Sequence, residues 1–287
     1  MTGLLLVDKP TDWTSHDVVA KLRGALRERR IGHAGTLDPM ATGLLVLLVG
    51  AATRAASYAE AGEKHYTAHL RLGVTTDTYD ITGTVVDSGG GTAGEAELLR
   101  ALESFRGEIE QLPPMYSAVK VDGRRLYELA RRGKSVERTA RRISIERLEL
   151  VGCEPNGDFV LDILCSKGTY IRSLCHDIGQ KLGAGGTMSA LRRIGSGDFG
   201  IENALPLSEL IGLAETGRAT ERLLPVETLF MRHPAVALAS EDERKFQNGA
   251  PVLSGAPDGL CRIYGASGNF LALGETRDGT LRSVKRF

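Results

Sequence analysis

The sequence predicts an α+β fold followed by a small β-rich domain. Patterns typical of strands and helices alternate irregularly, often with the short spacing of hairpins, which favours a mixed α+β arrangement over a doubly wound parallel sheet. After Phe230 the pattern changes to short strands separated by glycine-rich turns. We therefore place a domain boundary near Arg232, dividing the chain into residues 1–232 and a C-terminal domain of residues 233–287.

The N-terminal elements follow from apolar spacing. Residues 3–7 form an apolar strand, and Thr14 or Ser15 is positioned to cap a helix with apolar residues on one face. That helix ends in a basic cluster of arginines. A glycine-rich loop follows, then the apolar run 44–49 and a predicted helix near residues 53–61.

The remaining elements are predicted from alternation and from helical spacing. Strands are expected at residues 66–72, 84–86, 116–121, 143–150 and 159–165. Helices are expected around residues 98–105, 126–130, 169–182 and 241–247.

Composition excludes several classes of protein. The chain has 287 residues, is 42% hydrophobic and carries 36 basic and 36 acidic side chains, so any nucleic-acid surface must be local. The four cysteines lack the spacing of a zinc site and are interpreted as reduced, mostly buried thiols. The chain shows neither a signal peptide nor an apolar run of membrane length, so we expect a soluble, cytoplasmic protein.

The loop GHAGTLDPMATGLL, residues 32–45, places His33 and a single carboxylate, Asp38, among glycines. Asp before Pro is a favoured helix N-cap, so a helix start is one interpretation of Asp38. A catalytic carboxylate is the other, and the two roles are compatible.

A basic segment occupies the middle of the chain. Residues 120–147 contain ten lysines and arginines against four acidic residues, with Tyr127 among them. A solvated charged face is one explanation, and contact with an RNA phosphate backbone is the other. The residues proposed for that contact are Lys120, Arg124, Arg125, Arg131, Arg132, Arg141 and Arg142.

The segment SKGTYIRSLCHDIG, residues 166–179, puts Tyr170 and Arg172 at the start of a predicted helix. An arginine in the first helical turn is slightly unfavourable against the helix dipole, so a carboxylate partner is expected. Asp38 is the candidate, because a neighbouring guanidinium would keep it ionised and oriented, as a nucleophile requires.

Four motifs in this order resemble the bacterial TruB family of tRNA pseudouridine-55 synthases. Besides the two segments above they are KHYTAHLRLGVTTDTYDITG and PPMYSAVKVDGRRLYELAR, and the resemblance covers about residues 3–197. Compared with the usual family sequence GHTGALDPLATG, Ala34 and Thr36 exchange a hydroxyl-bearing side chain between two positions, which leaves His33 and Asp38 in place. The last segment resembles a PUA-type RNA-binding module. This resemblance implies the pseudouridine synthase fold, a mainly antiparallel mixed sheet flanked by helices, with the cleft crossing the sheet.

The resemblance also implies an activity and roles for individual residues. Such enzymes break the N-glycosidic bond of a T-loop uridine in tRNA, rotate the uracil and rejoin it through carbon, without metal or nucleotide cofactor. Asp38 would be the nucleophile, attacking either C1′ of the sugar or C6 of the base, since a carboxylate can do both. The resemblance also implies that Tyr66 stacks on the base and assists removal of the C5 proton, and that Arg172 pairs with Asp38. It implies that Tyr170 and Leu191 line the uridine pocket. It further implies that His33 holds the loop of the RNA and that Lys9 supports the Asp38 loop. Tyr66 and Leu191 have the simpler alternative of packing in the core.

The expected partner is the tRNA T stem-loop, without a membrane or an obligate protein partner, and the family suggests a monomer. Two alternatives stay open. One is a non-catalytic protein that binds or folds tRNA, and the other is a related synthase acting on a different RNA.

Overall fold

The structure, a computed structural model, describes residues 1–88, 90–121, 123–134 and 136–287. Within these residues the α-helices are α1 (Ser15–Leu26), α2 (Ala56–Ala61), α3 (Glu95–Glu103), α4 (Leu126–Ala130), α5 (Ile171–Lys181), α6 (Leu207–Glu215) and α7 (Ser240–Gln247). Short 3-10 helices span Gly50–Ala55, Ile201–Asn203, Ala219–Arg222 and Val226–Phe230.

The strands fall into one large sheet, a C-terminal sheet and two small ribbons. They are β1 (Gly3–Lys9), β2 (Ile31–Ala34), β3 (Thr42–Val49), β4 (Lys64–Leu72), β5 (Thr75–Thr76), β6 (Val85–Asp87), β7 (Gly107–Gln111), β8 (Lys120–Val121), β9 (Arg124–Arg125), β10 (Arg141–Cys153), β11 (Phe159–Cys165), β12 (Gly186–Ser196), β13 (Phe199–Gly200), β14 (Leu205–Pro206), β15 (Ala235–Ala237), β16 (Val252–Leu253), β17 (Gly259–Tyr264), β18 (Phe270–Arg277) and β19 (Thr280–Arg286).

The large sheet confirms the predicted α+β class. Its order is β14-β1-β3-β12-β4-β11-β10-β7, with β2 added to β3 and β13 to β12. The pairs β1–β14 and β3–β12 are parallel, and the other pairs described in this sheet are antiparallel. Strands β3 and β12 pair only at Arg192 with Thr42 and Arg193 with Gly43. This short junction lies in the middle of the sheet, next to the loop that carries Asp38.

Helix α1 begins where its sequence predicts. The side chain of Thr14 accepts a hydrogen bond from the Asp17 backbone N–H at 3.0 Å, and the Asp17 carboxylate accepts one from the Thr14 N–H at 2.9 Å. This reciprocal capping box satisfies two donors at the helix start. Val18, Val19 and Leu22 are then buried on one face.

The two faces of the large sheet carry separate apolar cores. One core joins the sheet to the apolar faces of α1, α3, α5 and α6. The other lies on the opposite face, where Leu4, Leu44 and Val46 pack with Phe230 and with Leu273 of β18. Residues on both sides of the predicted boundary therefore share one apolar cluster, and the division at residue 232 stays a prediction.

The C-terminal sheet has the order β15-β17-β18-β19-β16 and encloses a small core of its own. The prediction of a β-rich C-terminal segment is confirmed. All four cysteines are free, and three of them are buried. Among the described residues, the structure contains no helix with the length and apolarity needed to cross a membrane.

Several predictions of individual elements were wrong. Most of the strand expected at residues 116–121 is irregular, and only Lys120 and Val121 pair, because this segment leaves the sheet and turns back on itself. The helix expected at 53–61 is a 3-10 turn followed by the short α2. Strands β7 and β12 and helix α6 were not predicted.

Candidate active site

Asp38 lies in a tight turn at the end of the β2–β3 connection. The Asp38 carbonyl accepts a hydrogen bond from the Ala41 N–H at 3.1 Å, and the chain then enters β3 at Thr42. The helix-start interpretation of Asp38 was therefore wrong. Asp at the first position and Pro at the second are also preferences of a β-turn, and the leucine- and valine-rich run that follows forms a strand instead of a helix.

Arg172 holds the Asp38 carboxylate side-on. Its Nε lies 2.9 Å from Asp38 Oδ2, and its Nη2 donates to Asp38 Oδ1 at 3.0 Å. The arginine side chain is 7% exposed, whereas 31% of the Asp38 side chain is exposed. The guanidinium is thus fixed inside the protein, while the carboxylate remains partly exposed. The predicted pairing of these two residues is present in the structure.

Further contacts fix Arg172 in place. Its Nη2 donates to the Tyr116 carbonyl at 2.9 Å and its Nη1 to the Thr78 carbonyl at 3.3 Å. A second carboxylate, the buried Asp80, lies 3.7 Å from Nε. Sequence reasoning noted Asp80 only as part of a polar loop, because its approach to Arg172 depends on how that loop docks on β12.

Burial and pairing act on Asp38 in opposite directions. Burial raises the pKa of the Asp38 carboxyl above its ordinary value, and the Arg172 guanidinium pulls it down. The nearby Asp80 raises it further. The net pKa lies above the ordinary value, so the ionised form of Asp38 depends on Arg172.

Lys9 supports the Asp38 turn through hydrogen bonds from its ammonium to backbone carbonyls. Its ammonium donates to the carbonyls of Pro10 at 2.8 Å, Trp13 at 2.6 Å and Pro39 at 3.1 Å. The side chain is fully buried, and burial lowers the pKa of Lys9 to about 8. Lys9 therefore ties the end of β1 to the residue that follows Asp38, which is the position that the sequence predicted for it.

Arg193 holds the β2–β3 connection, which carries Asp38, through hydrogen bonds to its backbone. Its guanidinium donates to the carbonyls of Leu44 at 2.7 Å, Gly35 at 3.1 Å and Thr36 at 3.5 Å, and the side chain is 1% exposed. Its positive charge also lies near the Tyr66 phenol, which opposes the rise in the pKa of that residue. Sequence reasoning missed Arg193, because nothing in the pattern LRRIG distinguishes a buried arginine from an exposed one.

Tyr66 and Leu191 lie on the two neighbouring strands β4 and β12, on the same face as Arg193. Tyr66 pairs with Arg193 in register, and Leu191 pairs with Ala68. Both side chains are 8% exposed and belong to the core on that face. Burial raises the pKa of the Tyr66 phenol, with a further contribution from Asp38, so the phenol is protonated at neutral pH.

Tyr170 is the residue that precedes α5. Its N–H donates to Gln111 Oε1 at 2.8 Å, and its carbonyl accepts from Gln111 Nε2 at 3.0 Å. The buried Gln111 thus fixes the helix start that presents Arg172. Gln111 was missed, because its strand β7 was not predicted.

His33 lies on β2, five residues before Asp38. Its Nδ1 is buried and has no hydrogen-bond partner among the described residues. Burial lowers the pKa of its ring, so the imidazole is neutral. The structure thus brings Arg172 and Lys9 to the Asp38 turn and places Tyr66 next to Arg193. Leu191, Tyr170 and His33 lie on neighbouring elements, β12, the start of α5 and β2.

The basic segment includes the β8–β9 ribbon and α4, and from Arg141 onward it forms the start of β10 in the large sheet. All seven of its proposed RNA contacts are exposed. Arg131 and Arg125 lie over the Tyr127 ring, at 5.4 Å and 5.9 Å from its centre. The chain just before the segment is joined to α5, where Ser173 Oγ donates to the Leu112 carbonyl at 2.9 Å.

Comparison with known proteins places this site in context. Residues 23–171 match the model described as "TruB family pseudouridylate synthase (N terminal domain)". Residues 172–231 match "tRNA pseudouridylate synthase B C-terminal domain", and residues 234–286 match "Pseudouridine synthase II TruB, C-terminal".

Proteins called tRNA pseudouridine synthase B are similar to this chain over its whole length. That of Clostridium kluyveri is 42% identical and covers 100% of both chains, and that of Aquifex aeolicus is 42% identical over 100% of this chain and 99% of its own. Among solved structures, one titled "Crystal Structure of a Cbf5-Nop10-Gar1 Complex" superimposes with a TM-score of 0.75 at 28% identity. It covers 99% of this chain and 84% of that one.

Proposed function

Since the chain belongs to the TruB family of pseudouridine synthases, we propose that it isomerises uridine 55 in the T loop of tRNA with Asp38 as the nucleophile. At the level of the family the activity is the isomerisation of uridine in tRNA to pseudouridine. The position in the RNA and the roles of individual residues are the proposal.

The observation that carries this proposal is the accessible Asp38 carboxylate held by a buried guanidinium. Bidentate pairing orients both carboxylate oxygens and favours the ionised form. A fixed, ionised carboxylate at a cleft is what a covalent catalyst requires.

The reaction rearranges bonds within one nucleoside. The N1–C1′ bond breaks, the free uracil rotates, and a C5–C1′ bond forms as the C5 proton leaves to water and N1 takes up a proton. Asp38 attacks either C1′, displacing uracil, or C6 of the ring, and in both cases the carboxylate is regenerated when the product forms.

Tyr66 and Leu191 are positioned to bound the uracil. We assign Tyr66 to stack on the base and to assist removal of the C5 proton. Burial keeps the phenol protonated, so in this role it relays the proton, releasing its own proton to water as its oxygen accepts the one from C5. Leu191 and Tyr170 line the pocket beside it. The uridine must leave its stack to enter, at a cost of a few kcal/mol that is smallest in a loop.

Binding the rest of the RNA is assigned to surfaces around the cleft. His33 holds the rearranged T loop, Lys9 keeps the Asp38 turn in place, and the exposed arginines of the basic segment contact the phosphate backbone. The C-terminal domain is proposed to bind RNA as well. We propose that a single chain carries out the reaction.

The test is an isotope-release assay. Unmodified tRNA transcript labelled with tritium at uracil C5 is expected to release tritium to water with the wild-type protein. Asp38→Asn, which keeps the size of the side chain, is expected to abolish release while tRNA binding stays nearly unchanged. Glu103→Gln, which changes an exposed carboxylate to an amide on α3, is the matched control and should retain full release.

Two results of this test contradict the proposal. Salt-dependent tRNA binding without any release from the wild type would indicate a non-catalytic tRNA-binding or folding protein. Release that persists in Asp38→Asn would exclude Asp38 as the nucleophile. Mapping of pseudouridine in cellular RNA after gene deletion separates position 55 of tRNA from a target in another RNA.

A further inference from the structure

An aromatic stack joins the loop between β5 and β6, residues 77–84, to helix α5. The Tyr79 ring lies face to face with the His176 ring, with 3.9 Å between the ring centres and an angle of 10° between the ring planes. Both side chains are partly buried. Neither residue was predicted from the sequence to have a role. We call this pair the Tyr79–His176 stack.

The Tyr79–His176 stack is next to the contacts that hold Arg172. Arg172 and His176 are four residues apart in α5, so their side chains lie on one side of the helix, one turn apart. The Thr78 carbonyl accepts a hydrogen bond from Arg172 Nη1 at 3.3 Å, and Asp80 Oδ2 lies 3.7 Å from Arg172 Nε. Residues 78–80 therefore contact two consecutive turns of α5, with Tyr79 on the second turn and its two neighbours in sequence on the first.

The backbone of Tyr79 is bound to β12 at the same time. Its carbonyl accepts from the Met188 N–H at 3.0 Å, and the Ile81 N–H donates to the Met188 carbonyl at 2.9 Å. Tyr79 has a φ of +64°, in the left-handed region that residues with a side chain rarely occupy. Such a conformation persists only where the surrounding contacts hold it. Tyr79 thus links β12, through its backbone, to α5, through its ring.

The environment of the His176 ring favours stacking over hydrogen bonding. Its Nδ1 is buried and has no hydrogen-bond partner among the described residues. Burial lowers the pKa of His176, and the nearby Arg138 lowers it further, so the ring is uncharged at neutral pH. Two neutral flat rings are held together by apolar contact and by their matching shapes. A phenyl ring should therefore be able to replace the imidazole.

We propose that the Tyr79–His176 stack is a positioning element, which sets the Arg172 guanidinium against Asp38 for the reaction. The inference rests on the proposed function. Loss of the stack frees residues 78–80 to shift along α5, and their contacts with Arg172 shift with them. Arg172 then pairs less closely with Asp38, and the carboxylate loses both its orientation and part of its ionised form.

Matched substitutions at the two rings test the proposal. His176→Leu and Tyr79→Leu remove the stack but keep an apolar side chain. Each is expected to lower kcat for tritium release about tenfold, with KM and tRNA affinity unchanged within about twofold, because only the reacting groups are displaced. The acidic limb of the pH profile is expected to move to higher pH, since weaker pairing with Arg172 raises the pKa of Asp38.

Conservative variants are the controls. His176→Phe and Tyr79→Phe keep a flat ring and should retain the wild-type kcat and acidic limb. Gln180→Leu places a leucine at an exposed position of the same helix and should behave as the wild type. Circular dichroism at each pH detects unfolding. If His176→Leu fails to fold, Tyr79→Leu, which lies in a loop instead of a helix, carries the test.

A double variant shows whether the two rings act together. If the stack is their common contribution, Tyr79→Leu combined with His176→Leu should lower kcat by about the same tenfold as one single variant. A loss of about a hundredfold, the product of the two single effects, would mean that the rings act independently and would contradict the proposal.

The remaining outcomes separate failure of this inference from failure of the proposed function. If the wild type releases tritium and the leucine variants keep its kcat and acidic limb, only this inference is overturned. It is also overturned if kcat falls while the acidic limb stays in place, or if the phenylalanine variants lose as much activity as the leucine variants. If the wild type releases no tritium, the proposed function has failed.

Discussion

At the scale of single residues, the candidate site depends on how a buried guanidinium sets the charge of an accessible carboxylate. Burial and Asp80 favour the protonated form of Asp38, and Arg172 favours the ionised form. Arg172 is itself held by two backbone carbonyls and lies near the second carboxylate, so it cannot easily turn away. This arrangement makes the protonation of Asp38 sensitive to one neighbouring side chain.

The pH dependence of the reaction tests this arrangement. The nucleophile must be ionised, so activity is expected above the Asp38 pKa and lost as pH falls through it. Since that pKa lies above the ordinary value, the loss should begin at higher pH than for an exposed aspartate. Arg172→Gln removes the group that lowers the pKa and should shift the acidic limb to still higher pH, with a rate about a hundredfold lower.

The measurement is the pH profile of tritium release for the wild type and Arg172→Gln, with circular dichroism at each pH to exclude unfolding. Arg100→Gln, on the exposed face of α3, serves as the control and should leave the profile unchanged. An acidic limb that stays in place or moves to lower pH in Arg172→Gln would contradict the assigned role of Arg172.

Arg193 has a different function, because it bonds carbonyls of the loop and contacts no carboxylate in the part of the chain described. Arg193→Met keeps an apolar stem but leaves the carbonyls of Gly35, Thr36 and Leu44 without their donor. Leaving buried acceptors unsatisfied should destabilise the protein by about 3 kcal/mol. Urea unfolding measures this loss of stability, and Arg100→Met, an exposed arginine on α3, is the control. A loss below about 1 kcal/mol would show that the hydrogen bonds of Arg193 to the three carbonyls are not needed for stability.

At the scale of elements, the sequence predicted those strands and helices whose apolar spacing is regular. Residues 66–72 alternate between apolar and polar side chains and lie in β4 as predicted, and the apolar face of α5 is buried. Strand β12 was missed because it has irregularities between Met188 and Ala190 and between Arg193 and Gly195, which interrupt the alternation. β7 was missed because glutamates occupy this edge strand.

For the candidate site too, the sequence predicted only those residues that lie in a recognisable local pattern. Asp38, Arg172 and Lys9 could be predicted because they lie in motifs that resemble a known family. Arg193 and Gln111 act through backbone carbonyls and amides of distant segments. Such contacts depend on the packing of strands far apart in sequence, which local pattern does not reveal.

Two glycines of the Asp38 motif make the importance of strand packing testable. Gly43 has φ +101°, and a Cβ there would overlap the backbone of Arg193, where β3 meets β12. Gly32 has no atom within 4 Å of an added Cβ. Gly43→Ala is expected to destabilise the protein by about 3 kcal/mol, whereas Gly32→Ala should change stability by less than about 1 kcal/mol.

Thermal and urea unfolding of the two glycine variants give the comparison directly. Tritium release should fall in Gly43→Ala, since the β3–β12 junction also positions the Asp38 turn. Equal stability of the two variants would show that the junction tolerates separation of the strands.

At the scale of the whole molecule, the C-terminal sheet is joined to the large sheet by an aromatic cluster. The Phe230 ring lies 5.4 Å from that of Phe287 and 6.2 Å from that of Phe270, and Tyr58 meets Phe230 edge-on at 5.3 Å. These rings pack against the core beneath β1 and β3. The C-terminal sheet therefore has a fixed position relative to the loop that bears Asp38.

The distribution of charge over the molecule predicts where the salt dependence of tRNA binding arises. The net charge of the chain is zero, so a strong salt dependence of tRNA binding must arise from a local surface. The exposed arginines of the basic segment are that surface in our proposal. Replacing Arg131 and Arg132 together by Gln should reduce the slope of log K against log salt by about two if each contacts one phosphate.

Binding of tRNA measured between about 50 and 200 mM salt gives this slope. Arg222→Gln, which removes an exposed arginine from the 3-10 turn at residues 219–222, is the control and should leave the slope unchanged. Because the slope depends on phosphate contacts and not on the total charge, an unchanged slope in the Arg131 and Arg132 double variant would mean that the basic segment is a solvated face. In that case the RNA backbone must be held by another surface of the molecule.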